Sequence, residues 1–171
     1  MRKAAWIAVP ILFGLGFVLH FAYEWCGGAP LVGAFCPVNE SVWEHLKLAF
    51  FPPVLFWFFW GRKTRLPLAK RLVAAAVSAC AASLVVLAIH YTVSGATGRE
   101  IMAADIASLA IGLAAGQYLA LKALKLPMRR WMEISAAAAL MVVGLMLIAF
   151  THFPPHIPLF WDAEGGFYGT P

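Results

Sequence analysis

The sequence predicts an all-α integral membrane protein, a bundle of five transmembrane helices with its N-terminus inside. Of its 171 residues, 63% are hydrophobic and 12% are charged, whereas soluble domains carry roughly 25% charged residues. The mean hydropathy is +0.81, and several apolar runs reach about 20 residues, the length that crosses a hydrocarbon core. This composition excludes a disordered chain, because disorder requires low hydrophobicity. It also excludes a soluble enzyme.

Five apolar segments have the length of a spanning helix. They cover residues of about 5–25, 41–60, 72–93, 100–121 and 133–151. Helices are expected because a chain in lipid must satisfy its backbone hydrogen bonds within each segment. The first segment is too long for a signal peptide and no small-residue cleavage pattern follows it, so we expect a retained helix. Residues 1–153 form the predicted membrane domain.

The basic residues predict how the bundle is oriented. Eleven of the thirteen Lys and Arg residues precede the first segment or lie in the loops after the second and fourth segments. The positive-inside rule places these regions in the cytoplasm, with the N-terminus inside and the C-terminal tail outside. The net charge of +5 is explained by this topology, so it does not indicate nucleic-acid binding.

The remaining residues, 154–171, form a Pro- and Gly-rich tail outside the membrane. Its prolines rule out a regular helix, yet Phe160 and Trp161 are too apolar for a freely solvated segment. Two roles stay open: a segment folded over the outer mouth of the bundle, or an anchor in the membrane interface. A disulfide between Cys26 and Cys36 on the same side is also left open, because it requires Cα atoms within about 7 Å.

Small residues recur at every fourth position of the fourth segment. They are Ala104, Ser108, Gly112 and Gly116. Such a stripe lets two helix backbones approach closely. Its partner is either another helix of the same chain or a second copy of the protein, which would then be a homo-oligomer.

Ionisable residues collect at the outer ends of the segments. All five histidines and seven of the eight acidic residues lie there. Ionisable groups at membrane depth are costly and usually face the bundle interior, so they indicate a functional site. The five segments each contribute one candidate metal ligand: His20, His45, His90, Asp105 and His152.

Histidine and carboxylate ligands are typical of zinc or non-haem iron. A zinc ion with an open coordination position lowers the pKa of its bound water to about 7. Glu44 or Glu24 is then the candidate general base. The sequence therefore favours a metal-dependent hydrolase that acts on a lipid or amphipathic substrate, although no compact motif such as H-E-x-x-H fixes the ligand set.

Three other functions use the same residues. A transporter or sensor would bind a metal ion or relay protons through them, but the inner half of the bundle lacks acidic and His residues to complete a path. A haem protein would use His20 and His90 as paired axial ligands. A subunit or assembly factor of a membrane complex would carry them as a structural hydrogen-bonded network.

Some of the carboxylates also have structural explanations. Ser41 and Glu44 fit a capping box, in which the serine caps the helix and the glutamate reaches back. Glu44 is therefore either a capping residue or part of the site. Glu40 is assigned to the same helix start, where a carboxylate is favoured by the helix dipole, and Glu164 is assigned to solvent.

Two motifs carry a resemblance to a known family. They are PVNESVWEHLK at residues 37–47 and PPHIPLF at residues 154–160, with His20 and Glu24-Trp25 preceding the first. With these motifs, the chain resembles a family of small bacterial polytopic membrane proteins of unknown function. The resemblance implies a multi-pass protein of the bacterial inner membrane and no particular activity.

In layout alone, the chain is also similar to membrane metal-hydrolases of the alkaline ceramidase and progestin-receptor type. In those proteins, His and Asp residues from several helices hold zinc beneath one face of the bundle. Their Ser-x-x-x-His pattern is matched by Ser41 and His45. They have seven helices, two more than the five segments found here.

The orientation can be tested with reporter fusions after Leu121 and at Pro171. Because the Lys/Arg asymmetry puts these points on opposite sides of the membrane, one fusion should report the cytoplasm and the other the outside. Both fusions reporting the same side would contradict the predicted topology.

Overall fold

The computed structural model describes residues 2–170, and for Arg2 it describes only the backbone. These residues are predominantly helical. Six α-helices follow one another along the chain: α1 (Arg2–Trp25), α2 (Pro30–Gly33), α3 (Val42–Lys63), α4 (Leu68–Thr97), α5 (Met102–Ala123) and α6 (Arg130–His152). A 3-10 turn at Pro158–Phe160 and two short strands, β1 (Trp161–Asp162) and β2 (Phe167–Tyr168), complete the tail. The prediction of an all-α bundle is confirmed.

Four of the five long helices are long and apolar enough to cross a membrane. They are α4, α5, α6 and residues Lys3–Trp25 of α1. The apolar segments of the sequence predict α3 as a fifth span, and this count stays a prediction together with the orientation. The difference has a physical reason, because α3 carries Glu44 and Lys47 near one end, Arg62 and Lys63 near the other, and two prolines between them.

Helix α3 is the centre of the bundle, and it contacts α1, α4, α5 and α6. Trp43, Leu46, Ala49 and Phe50 of α3 form a core with residues of α4 and α6. Trp57, six residues before the other end of α3, is buried in a second core with alanines of α1, α4 and α5. Glu44 and Lys47 of α3 are buried by the surrounding structure, whereas Arg62 and Lys63 at its other end are exposed.

The small-residue stripe of α5 packs against α4 of the same chain. A Cβ atom at Gly112 would lie 2.8 Å from the carbonyl oxygen of Ala82, and one at Gly116 would collide with the carbonyl oxygen of Ser78. Gly112 of α5 faces Ala82 of α4, and Gly116, four residues later, faces Ser78, four residues earlier. The two helices therefore run antiparallel. Of the two partners that the sequence left open for the stripe, the structure shows α4, and the homo-oligomer stays untested.

The tail packs on the start of α3. The Phe160 ring lies 4.7 Å from the Trp43 ring, centroid to centroid, and 5.5 Å from that of Phe150. The strands β1 and β2 pair antiparallel, and the Asn39 side-chain amide donates to the Gly169 carbonyl at 2.6 Å. The boundary at residue 153 and a role for the tail over the mouth of the bundle stay predictions.

The close approach of α4 and α5 predicts that alanine lowers the free energy of unfolding at Gly116 but not at Gly14. Gly116→Ala should lower the free energy of unfolding by about 1–3 kcal/mol, because the added methyl group meets the backbone of α4. Gly14→Ala is the matched control, since nothing lies within 4 Å of its Cβ position and alanine favours the helix. Unfolding in mixed micelles, followed by circular dichroism, measures both variants. Equal stability of the two would contradict this packing.

Candidate metal centre

Helix α3 begins with a serine cap. Ser41 has extended backbone angles, and its hydroxyl accepts a hydrogen bond from the Glu44 N–H at 3.4 Å. The Ser41 N–H donates to the Asn39 side chain at 2.9 Å. These contacts satisfy helix-start N–H groups and fix the direction in which the first turn of α3 presents its side chains.

A buried ion pair lies on this first turn. The Lys47 ammonium donates to Glu44 Oε2 at 2.6 Å, and the side chains are 0% and 2% exposed. The ammonium also donates to the carbonyls of Gly33 at 2.5 Å and Cys36 at 3.2 Å. All three ammonium protons therefore have an acceptor.

The Glu44 carboxylate accepts two further hydrogen bonds, one on each oxygen. The Val38 N–H donates to Oε2 at 3.1 Å, and the Thr151 hydroxyl of α6 donates to Oε1 at 2.9 Å. The serine half of the capping box is present, but the glutamate reaches back to Val38 rather than to Ser41. With three donors and no free access to solvent, Glu44 has contacts typical of a structural carboxylate, and its role as a general base stays a prediction.

Two of the candidate ligands meet next to this pair. One ring nitrogen of His20, one ring nitrogen of His45 and a carboxylate oxygen of Glu40 all lie within 4.8 Å of one another, and we name these three residues the His–Glu cluster. Glu40 Oε2 is 3.4 Å from His45 Nε2 and 3.8 Å from His20 Nε2. Helix α1, the loop before α3 and the first turn of α3 each contribute one side chain.

The backbone orients the His45 ring. Its Nδ1 is 2.9 Å from the carbonyl oxygen of Ser41, and because a carbonyl only accepts, Nδ1 carries the proton and donates. Nε2, the atom that faces Glu40, is then the ring nitrogen available to a proton or a metal ion. A metal-ligating histidine is typically held in this way by a second hydrogen bond.

The sequence pattern assigned Glu40 to the helix start and did not predict it as a site residue. Its backbone N–H donates to the buried carboxylate of Asp162 at 3.3 Å, so the tail helps to hold it. A hydrogen bond with the His45 side chain is the main cause that holds the pKa of the Glu40 carboxyl below its ordinary value. The nearby charge of His20 lowers this pKa further, and together they outweigh the opposite effect of partial burial. The proximity of Glu40 and His45 in the PVNESVWEHLK motif is the signal that could have paired them.

His90 and Asp105 form a separate pair beside the cluster. His90 Nδ1 lies 2.9 Å from Asp105 Oδ1, joining α4 to α5. The Asp105 charge lies close enough to act on His45. This contact gives the Asp105 carboxylate a hydrogen-bonding partner. A ligand role for His90 or Asp105 stays a prediction.

The other candidates lie outside the cluster. His152 is exposed and lines a cavity of about 200 Å³ with Tyr23, Val38 and Thr170. Glu24 is exposed on α1, one turn beyond His20. Their predicted roles as ligand and base are untested, as are the zinc and haem predictions. Cys26 and Cys36 are free, the first exposed and the second buried.

These features define a class of protein, a helical membrane protein with a His–Glu cluster at one end of its bundle. A family model described as a family of unknown function (DUF6512) matches residues 1–170, and the chain belongs to this family. Neither a curated protein nor a solved structure matches the chain. The predicted membership in a family of unknown function is thus confirmed, while bacterial origin and the similarity to ceramidases stay predictions.

Burial of the Glu44–Lys47 pair predicts that removing its cation lowers the free energy of unfolding much more than removing the cation of an exposed pair with the same spacing. Lys47→Met should lower the free energy of unfolding by about 3–5 kcal/mol, because it leaves the Glu44 charge buried without its partner. Arg130→Met is the control: it removes an exposed pair with Glu133, also three residues apart, and should change stability by about 1 kcal/mol or less. SDS-induced unfolding of both variants provides the comparison. A Lys47→Met variant as stable as Arg130→Met would refute the importance of the buried pair.

Proposed function

We propose that the His–Glu cluster binds a divalent transition metal, most simply zinc, and that the protein is a metal-dependent membrane hydrolase. The observation that supports this is the convergence of His20, Glu40 and His45 from three parts of the chain within 4.8 Å. Two imidazoles and one carboxylate are a ligand set of catalytic zinc.

The spacing of the ligand atoms suits such an ion. Ligands at about 2.1 Å in a tetrahedron lie about 3.4 Å from one another. The separations of Glu40 from His45 and His20 are 3.4 Å and 3.8 Å. The ligand nitrogens of His20 and His45 lie within 4.8 Å of each other. Side-chain rotations that bring them closer by up to about an ångström would complete the three bonds, and the carboxylate would supply negative charge to the metal.

Three protein ligands leave a fourth position open, which distinguishes a catalytic zinc site from a closed structural one. The side chains are also accessible: His20 is 26% exposed, His45 30% and Glu40 42%. Water can therefore reach the ion, and zinc lowers the pKa of a bound water to about 7. The chemistry that follows is hydrolysis at a carbonyl or phosphoryl centre.

A base is needed beside the water, and two carboxylates are available. Glu24 lies one helical turn from His20 on α1, and Asp105 acts electrostatically on His45. Glu44, the other base considered from the sequence, is already occupied by Lys47 and Thr151. We therefore assign the base to Glu24 or Asp105, with His90 holding Asp105 in position.

The substrate class follows from the location of the cluster. Helices α1, α4, α5 and α6 are apolar enough to span a membrane, and the cluster lies at one end of α1, near the expected depth of lipid ester and phosphate groups. A lipid or another amphipathic molecule can reach it laterally. We propose this class as the substrate.

Metal content provides the first test. Purified protein loaded with zinc and passed through a desalting column should retain about one ion per chain, measured by mass spectrometry of the metal. His20→Ala, Glu40→Gln and His45→Ala should each reduce the retained metal at least about tenfold, because second- and first-shell losses commonly weaken zinc sites by this factor or more. Cobalt substitution should give the visible absorption bands of a tetrahedral N/O site.

Matched controls use residues of the same type outside the cluster. His152→Ala and Glu164→Gln should keep the metal, since His152 lies in a different cavity and Glu164 is exposed in the tail. If wild type retains no metal, or if the control variants lose as much as the cluster variants, the proposal fails. The cluster would then be a hydrogen-bonded network in which Glu40 joins α1 to α3. An intense haem absorption in wild type would favour the haem alternative.

A further inference from the structure

A second cavity lies at the opposite, basic end of the bundle. It has a volume of about 270 Å³ and is lined by Trp6 of α1 and by Tyr118, Leu121, Lys122 and Lys125 at and just beyond the end of α5. It is far from the His–Glu cluster, since Trp6 lies near one end of α1 and His20 near the other. On α5 it lies at the end opposite Asp105. The cavity therefore has to be explained separately.

The lining combines two unpaired positive charges with two interfacial aromatic rings. The Lys122 ammonium lies 5.2 Å from the centroid of the Tyr118 ring. Within residues 2–170, neither Lys122 nor Lys125 forms an ion pair with a carboxylate. Trp and Tyr residues that flank lysines are typical of the headgroup level of a membrane.

The same two helices are apolar where they leave the cavity. Ile7 and Ile11 of α1 are 62% and 63% exposed, and Ile111 of α5 is 53% exposed. In a membrane, such side chains contact acyl chains. A molecule that fits this surface has a negative headgroup for the lysines and an apolar tail along the helices.

We propose that the cavity binds the phosphate headgroup of an anionic phospholipid such as phosphatidylglycerol. Lys122 and Lys125 pair with the phosphate, while Trp6 and Tyr118 pack against the glycerol region. A zwitterionic lipid is a poorer ligand, because its own cationic group offsets the attraction of the two lysines. This site is independent of the proposed metal centre.

The experiment titrates delipidated protein in detergent with phosphatidylglycerol or phosphatidylcholine and counts bound lipid by native mass spectrometry. We expect phosphatidylglycerol to bind wild type more tightly than phosphatidylcholine. Lys122→Gln with Lys125→Gln should weaken this binding at least about tenfold, since each lysine near an anionic surface contributes about 1 kcal/mol. Lys122→Arg with Lys125→Arg should retain it.

The control double variant is Arg62→Gln with Lys63→Gln. It removes the same charge at the same end of the bundle, and Lys63 also lies over an aromatic ring, at 5.4 Å from Trp60, but neither residue lines the cavity. This variant should bind phosphatidylglycerol as wild type does. An equal loss in both double variants would show unspecific attraction and overturn the proposal. So would equal binding of phosphatidylcholine, or displacement of the lipid by equimolar inorganic phosphate.

Discussion

The pair formed by Glu44 and Lys47 is the constraint on which the end of the bundle around the start of α3 depends. Neither charge reaches water, so the protein itself must supply every hydrogen bond that solvent would otherwise make. Lys47 takes the carbonyls of Gly33 and Cys36, and Glu44 takes the Thr151 hydroxyl of α6. The pair therefore holds α2, the following loop, α3 and α6 in one arrangement.

The His–Glu cluster is a consequence of this arrangement. His45 follows Glu44 directly, so fixing the first turn of α3 also fixes the position from which the imidazole projects. The loop held by Lys47 leads to Glu40, whose backbone is bound by Asp162 of the tail. A structural ion pair with no solvent access thus supports a neighbouring group of side chains that do have access, an arrangement that pre-organised sites require.

The two ends of the bundle differ in chemistry as well as in charge. One end gathers histidines and carboxylates on a supported backbone. The other end carries Lys122 and Lys125 beside aromatic residues. Between them, α4 and α5 approach closely through Gly112 and Gly116. The apolar middle separates the proposed metal centre from the proposed lipid site.

The sequence by itself determined the class of the protein. Apolar length predicts helices in lipid, because the backbone has no other partner there, and all five long helices were located. The sequence also placed His20 and His45 at the end of the bundle that carries the histidines and most of the carboxylates. The count of α3 as a fifth span stays a prediction, because hydropathy is a local sum that does not include the pairing of Glu44 with Lys47 inside the bundle.

Only the tertiary structure decided which polar residues meet. Glu40 and Glu44 are four residues apart and look equivalent in the sequence, yet one faces two imidazoles and the other a buried ammonium. The difference depends on the extended backbone at Ser41 and on contacts with residues more than 100 positions away, Thr151 for Glu44 and Asp162 for Glu40. Such long-range contacts have no periodicity along the chain, so pattern reasoning placed both carboxylates at the helix start and favoured Glu44 rather than Glu40 for a role in the site.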